Sequence, residues 1–380
     1  MENSLIKKVE TFKAGHVALS RKYSEERLGC LLIEARILFS TIVDLPILPA
    51  LSSQIQEEVI IKSIFGTAAI EGNPLSEEKV SELLSRPGKL DHIKKAEMEI
   101  FNLREAYNIL GKISPQPRPI SIGEDEIKTI HRIITNNVES EKNIPGGYRN
   151  HLVQVGDAEH GGVYTPPKIQ KDIETLMKAL VSWLNGPDIL ALDPAIRAAL
   201  AHFHLGQIHP FGDGNGRTAR LVEAYLMQAG GIKYVPPLLS NYYYRNMDEY
   251  YRVFSQSIRN KENDRTDFLE FVLNGLIEGL KEIKNKITYF IRRLTLKDYY
   301  GFIRDKKEIT QRQYDFLLLL LDTGKPFKPA EVPRTTPYTI LYRKISDRTL
   351  KRDLKKLTEK NFIRLDEKNG TFYLDFHLLG

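Results

Sequence analysis

Apolar residues recur along most of this 380-residue chain at the three-to-four spacing of one helical face. Over 54–70 the positions Val59, Ile60, Ile64 and Ala68 form such a stripe, which stops at Glu71-Gly72-Asn73-Pro74. Glycine just past a helix end and proline soon after it are stop signals. Ser76 followed by Glu77 and Glu78 reads as the N-cap and acidic first turn of a new helix. Helical periodicity returns over 96–110, 124–136 and 169–184. Asp193-Pro194 predicts one more start, with proline at the first helical position, and Ile196, Ala199, Leu200 and Phe203 keep the same spacing after it.

Two stretches break the helical pattern. In 148–167, Val153 and Val155 precede Gly161-Gly162, Val163-Tyr164 follow, and Pro166-Pro167 close a short predicted hairpin. Near the C-terminus, Phe362-Ile363-Arg364-Leu365 and Thr371-Phe372-Tyr373-Leu374 flank Asn369-Gly370, a hairpin turn signal. Between them lie four prolines from Pro326 to Pro337, placed in a loop of a C-terminal domain that begins near residue 295. The fold class expected is mainly α.

Length and an ordinary composition favour two or more globular domains over disordered or disulfide-scaffold classes. A lone Cys30 fits a reducing compartment, and no apolar run reaches the ~18 residues of a membrane span. The first sixteen residues lack an apolar signal core, so the expected location is the cytoplasm. Charge changes the picture only where it is located. Between Arg343 and Arg364 stand nine basic residues (Arg343, Lys344, Arg348, Lys351, Arg352, Lys355, Lys356, Lys360 and Arg364) against Asp347, Asp353 and Glu359, which equals the whole net charge of +6.

Residues 209–220 read His-Pro-Phe-Gly-Asp-Gly-Asn-Gly-Arg-Thr-Ala-Arg. Gly214, Asn215 and Gly216 allow a tight turn directly before a helical pattern, and amides in such a turn at a helix N-terminus form an anion nest. Arg217 and Arg220 add guanidinium forks that match phosphate. Asp213 is a candidate Mg²⁺ ligand, and His209 is a candidate base near neutral pH. Together these parts point to phosphoryl or nucleotidyl transfer. His202 and His204, in the preceding helical stretch, read as core or surface residues.

Across these twelve positions the chain resembles the Fic family, whose motif is His-Pro-Phe-x-(Asp/Glu)-Gly-Asn-Gly-Arg-x-x-Arg, and the likeness extends over roughly 45–276. The resemblance implies a helical catalytic core that moves AMP from ATP to a Ser, Thr or Tyr hydroxyl of a target protein. His209 would be the base, Phe211 would fix the loop, and Asp213 would hold Mg²⁺. Gly214, Asn215 and Gly216 would form the anion hole, Arg217 would meet the outer phosphates and Arg220 the γ-phosphate. Relatives that phosphorylate carry lysine where this chain has Gly216, so glycine implies AMP transfer. Thr67-Ala68-Ala69-Ile70-Glu71-Gly72 resembles the family's inhibitory motif, which implies that Glu71 pairs with Arg220. In some relatives that glutamate also supports AMP removal. The segment with Val163 and Tyr164 resembles the flap that holds the target, and Tyr250-Tyr251 align with the tyrosines of the adenine pocket. The asparagine usual about seven residues further on is replaced by Ile258, with Asn260 nearby.

Downstream, Ser346 would cap a helix with Leu350, Leu354 and Leu357 inward, basic residues outward and a hairpin after it. This resembles a winged helix-turn-helix, a module that docks DNA or protein. The organisation expected is 1–110 helical with the inhibitory motif, 111–294 catalytic core and 295–380 winged helix. The partners expected are ATP and a target protein, with self-modification, a homodimer and DNA as further ones, and no membrane. The alternatives are a DNA-binding regulator with a self-modifying Fic domain, an AMP-removing enzyme, or transfer of another nucleotide.

Overall fold

The computed structural model describes residues 5–85, 94–112, 120–138, 142–232, 234 and 238–378. It divides into two compact units, Met1–Lys284 and Asn285–Gly380. The first opens with strands β1 (Ile6–Glu10) and β2 (His16–Ser20), paired antiparallel from Ile6–Ser20 to Glu10–His16. Helices α1 (Glu25–Asp44), α2 (Pro49–Ile70), α3 (Glu77–Ser85), α4 (Lys95–Gly111), α5 (Glu124–Thr135) and α6 (Gln170–Leu184) follow. Next come α7 (Pro187–Leu190), α8 (Pro194–Ile208), α9 (Asn215–Ala229), α10 (Leu238–Arg245) and α11 (Met247–Arg259). Helix α12 (Thr266–Asp305) carries residues of both units, and it contains both the division after Lys284 and the boundary expected near 295.

The amphipathic patterns become helices close to their expected limits. Helix α2 starts five residues earlier than its apolar stripe, because Pro49 suits a first helical position. Its end follows the stop signal: Gly72 takes φ +82°, and the Gly72 and Asn73 amides return to Ala69 and Ala68. Ser76 Oγ accepts from the Lys79 amide in the first turn of α3. At Gly66 helix α10 crosses so closely that a Cβ would lie 2.7 Å from Asn241 Cα, which seats α2 tightly against α10. Helix α8 is buried along nearly its whole length and packs on α6 and α9. The short connection from α8 to α9 therefore hangs between two firmly packed ends.

The β1–β2 hairpin has no counterpart in the apolar pattern. It is held from a distance: the Asp172 carboxylate accepts from the backbone amides of Phe12, Lys13 and Ala14 at 2.8–3.0 Å. His204 accepts from the Ser20 amide at 3.1 Å, and burial pushes its pKa down to about 4. His204 and His202 both lie in the core.

The second unit is built from α13 (Gln311–Thr323), α14 (Thr339–Tyr342), α15 (Asp347–Glu359) and the antiparallel strands β3 (Ile363–Asp366) and β4 (Thr371–Leu374). Ser346 caps α15, and Leu350, Leu354 and Leu357 enter a core with Tyr300, Phe316 and Phe362. The hairpin expected around Asn369-Gly370 forms, its strands joined by a four-residue link, 367–370. Only Gly370 takes positive φ, and its amide closes the link on Asp366 O at 2.8 Å. The proline-rich stretch joins this unit through reciprocal backbone bonds between Phe327 and Phe372.

Candidate active site

His209 ends α8 in left-handed backbone (φ 51°, ψ 60°), with its amide on Leu205 O. That conformation is uncommon outside glycine and turns the chain sharply out of the helix. Arg149 holds the turn: its Nε donates to His209 O, and its other nitrogens donate to His151 O and Pro167 O. Burial, then the Arg149 charge, push the His209 pKa down to about 4. The imidazole is therefore neutral at pH 7, the form that accepts a proton.

The rest of the loop is cross-braced. Phe211 is fully buried, and its ring stacks on His131 with centroids 3.7 Å apart. Asn215 spans both backbone groups of Phe211, accepting from its N–H and donating to its C=O at 2.8 Å each. Gly214 caps α9 with φ +74°, and the first return bond is Thr218 N–H to Gly214 O. The amides of residues 215–217 thus have no acceptor within their helix and present its positive end.

Asp213 Oδ1 accepts from the Gly214 amide at 2.5 Å and from Arg217 Nη2 at 3.1 Å, while its side chain stays 39% exposed. Arg217 is buried, with Nη1 3.4 Å from Glu99 Oε1 and Nε without a hydrogen-bond partner among the described residues. Glu99 in turn accepts from Asn73 Nδ2 at 2.8 Å.

Helix α2 meets α9 at Arg220. Arg220 Nε donates to Thr67 Oγ1 at 2.6 Å, and Nη2 donates to Thr67 O and to Glu71 Oε1 at 3.2 and 2.6 Å. Thr67 in the last turn of α2 and Glu71 at its C-cap grip one guanidinium. A Cβ on residue 216 would lie 2.4 Å from Glu71 Oε1, so the carboxylate rests against Gly216 at the start of α9. Burial pushes the Glu71 carboxyl up, but Arg220 and Arg217 outweigh it and hold the group below its usual range.

One pocket collects Glu71, Tyr164, His209, Gly216, Arg220, Tyr250 and Tyr251 along its wall. Phe254 and Ile258 add aromatic and apolar surface to its lining. Tyr250 is buried, stacks on Tyr243 and meets His202 Nε2 at 2.9 Å, while Tyr251 OH donates to Ile70 O. Thr67, Asp213, Gly214, Asn215 and Arg217 stand behind or beside this wall rather than on it. Asn260 braces its own turn by accepting from the Glu262 and Asp264 amides. The expected flap is reduced to one pair, Val155 with Tyr164, joined at 2.9 and 2.7 Å. Val163 is exposed, and its carbonyl accepts from Arg259. Arg149, His131, Glu99 and Arg259 carry no local signature; each acts through residues distant in the chain.

The donor set suits a nucleotide with Mg²⁺. Mg²⁺ takes one or two carboxylates together with phosphate oxygens, and Asp213 offers one half-exposed carboxylate beside a helix N-terminus. No group of three or more His, Cys, Asp or Glu able to hold a metal occurs among the described residues.

Residues 120–227 match the Fic/DOC family model. Protein adenylyltransferase Fic of Nematostella vectensis is 34% identical over 223 residues, which are 57% of this chain and 47% of that protein. Protein adenylyltransferase fic-1 of Caenorhabditis elegans is 33% identical over 192 residues, 49% of this chain and 34% of the relative. The chain thus matches less than half the length of either. Among solved structures, a Fic family protein from Desulfovibrio desulfuricans superimposes with a TM-score of 0.56 at 19% identity, over 91% of this chain and 95% of its own. A C. elegans Fic-1 segment gives 0.55 at 24% identity, over 69% and 73%. These two likenesses concern the fold. No helix among the described residues is long and apolar enough to cross a membrane.

Proposed function

We propose that this chain transfers AMP from ATP to a hydroxyl side chain of a protein and that Glu71 restrains the reaction, a reading that the match of residues 120–227 to the Fic/DOC family model supports. The observation that carries the proposal is one pocket lined by a neutral His209, Gly216 and Arg220 together with Tyr250 and Tyr251. The adenylyltransferases among its relatives support the same chemistry.

In this reading ATP lies with its adenine toward Tyr250 and Tyr251 and its phosphates toward the N-terminus of α9. Mg²⁺, held by Asp213, would neutralise phosphate charge. His209 takes the proton of the target hydroxyl as that oxygen bonds to the α-phosphorus. The bond from the α-phosphorus to the bridging oxygen breaks, and pyrophosphate leaves with the electron pair. Fixed amides, Arg217 and Arg220 supply positioning and charge, which dominate transfer at phosphorus. The segment around Val163 and Tyr164 would align an extended target by backbone pairing, a mode with little side-chain preference. The deciding experiment supplies Glu71→Gly protein and cell lysate with ATP labelled at the α or the γ position. Protein label from α-labelled ATP alone is expected; label from γ-labelled ATP would replace this reading with phosphorylation.

A specific observation favours a further role for the second unit, which we read as a winged helix-turn-helix. Asp353 is turned into the core, where it accepts from Arg312, Gln313 and Tyr342. That leaves Arg343, Lys344, Arg348, Lys351 and Arg352 exposed, with few acids among them to offset their charge. Such a face suits a nucleic-acid backbone. Binding of a labelled DNA duplex by the full chain is expected to weaken steeply with salt. Arg348→Glu, Lys351→Glu and Arg352→Glu together should make that logarithmic slope shallower by about 3. A flat salt response in the parent protein removes the role.

A further inference from the structure

We propose that His131, on α5, is a positioning residue for the nucleotide-binding loop: it sets the Asp213 peptide, and through it the carboxylate placed to hold Mg²⁺. This inference rests on the AMP-transfer reading only for the use made of that metal.

His131 is fully buried, yet neither ring nitrogen serves its own helix. The Gly146 amide lies 2.9 Å from Nδ1, and an amide can only donate, so Nδ1 carries the lone pair. The proton therefore sits on Nε2, which donates to Asp213 O at 2.9 Å. The tautomer is fixed by geometry. On the other side of the same residue, the Asp213 amide donates to Asn143 Oδ1 at 3.2 Å. Both backbone groups of Asp213 are thus clamped, by a side chain of α5 and by the loop after it.

The ring adds a third restraint. It lies parallel to Phe211, with an interplanar angle of 5°. The α5 backbone beneath it is braced by Thr135 Oγ1, which donates to His131 O at 2.8 Å. With the peptide held, Asp213 Oδ1 is delivered to the Gly214 amide and to Arg217. An apolar residue could fill the volume of His131 and keep the stack, but it could not hold that peptide. Side chains that orient a metal ligand from behind commonly govern metal affinity as strongly as some ligands do.

The test uses the full chain in the Glu71→Gly background, comparing His131→Phe, which retains an aromatic ring, with its parent. ATP binding is titrated calorimetrically in 5 mM Mg²⁺ and again in EDTA. The expected result is an affinity about 10-fold weaker with Mg²⁺ and unchanged in EDTA, together with a lower kcat. Equal affinity in Mg²⁺, or equal loss in both media, overturns the proposal. If His131→Phe does not fold, Asn143→Ala, at a half-exposed position, removes the other half of the clamp and decides alone. It should show the same Mg²⁺-dependent loss, and its absence overturns the proposal. If the parent transfers no AMP, the AMP-transfer reading falls, whereas the difference between the two titrations still reports on His131.

Discussion

Glu71→Gly is expected to raise AMP transfer about 10- to 100-fold, from the ~1.5–3 kcal/mol of a charge-assisted hydrogen bond at tenfold per ~1.4 kcal/mol. Glu71 Oε1 sits 2.6 Å from Arg220 Nη2 and against Gly216, so a carboxylate occupies the place that suits a phosphate. Both groups compete for one guanidinium and one helix N-terminus. The substitution should leave the fold intact, because Glu71 lies just past the last residue of α2 and Gly72 already makes the turn. Arg220 also stays aimed, since Thr67 still accepts two of its hydrogen bonds. Initial rates of incorporation from α-labelled ATP measure the effect. Equal rates in the two proteins would remove Glu71 as a restraint.

His209→Ala should abolish that gain, lowering transfer by about 10²–10⁴-fold, the usual contribution of a positioned base. The measurement belongs in the Glu71→Gly protein, where the rate is high enough to see it fall. The backbone at His209 is left-handed, which alanine tolerates poorly, so a modest drop in melting temperature is expected. His209→Asn, which accepts that backbone better, should be equally inactive at nearly full stability. The pH profile gives the sign. With its pKa pushed down to about 4, the imidazole is neutral above that value, so activity holds as pH falls from 7 to 5 and is lost only on approaching 4. Retained self-modification by His209→Ala would sink the assignment.

The helices of the first unit and the loop 209–220 were legible because their signals are local. A stripe at 3.6 spacing, a Gly-Asn-Gly turn and a Pro at a helix start each act on neighbours a few residues away. The N-terminal hairpin was not legible, since Ile6–Glu10 is half polar and its tip is fastened to Asp172, about 160 residues on. The C-terminal turn was legible, because Asn369-Gly370 marks the end of the link, where Gly370 takes positive φ.

By itself the sequence determined which parts are present: a helical body, a phosphate-type loop with His209 and Asp213, and a short stretch that holds the whole net charge. Its family resemblance implied one long-range pair, Glu71 with Arg220, but it could not say which of the other parts face one another. Only the tertiary structure set Arg149 behind His209 and turned Arg217 inward to Asp213 and Glu99. It also buried Asp353 and left the basic face of α15 outward. The physical reason is distance along the chain. Caps and turns are decided within a few residues, whereas an ion pair or a pKa depends on desolvation and on charges that only folding brings within a few ångströms.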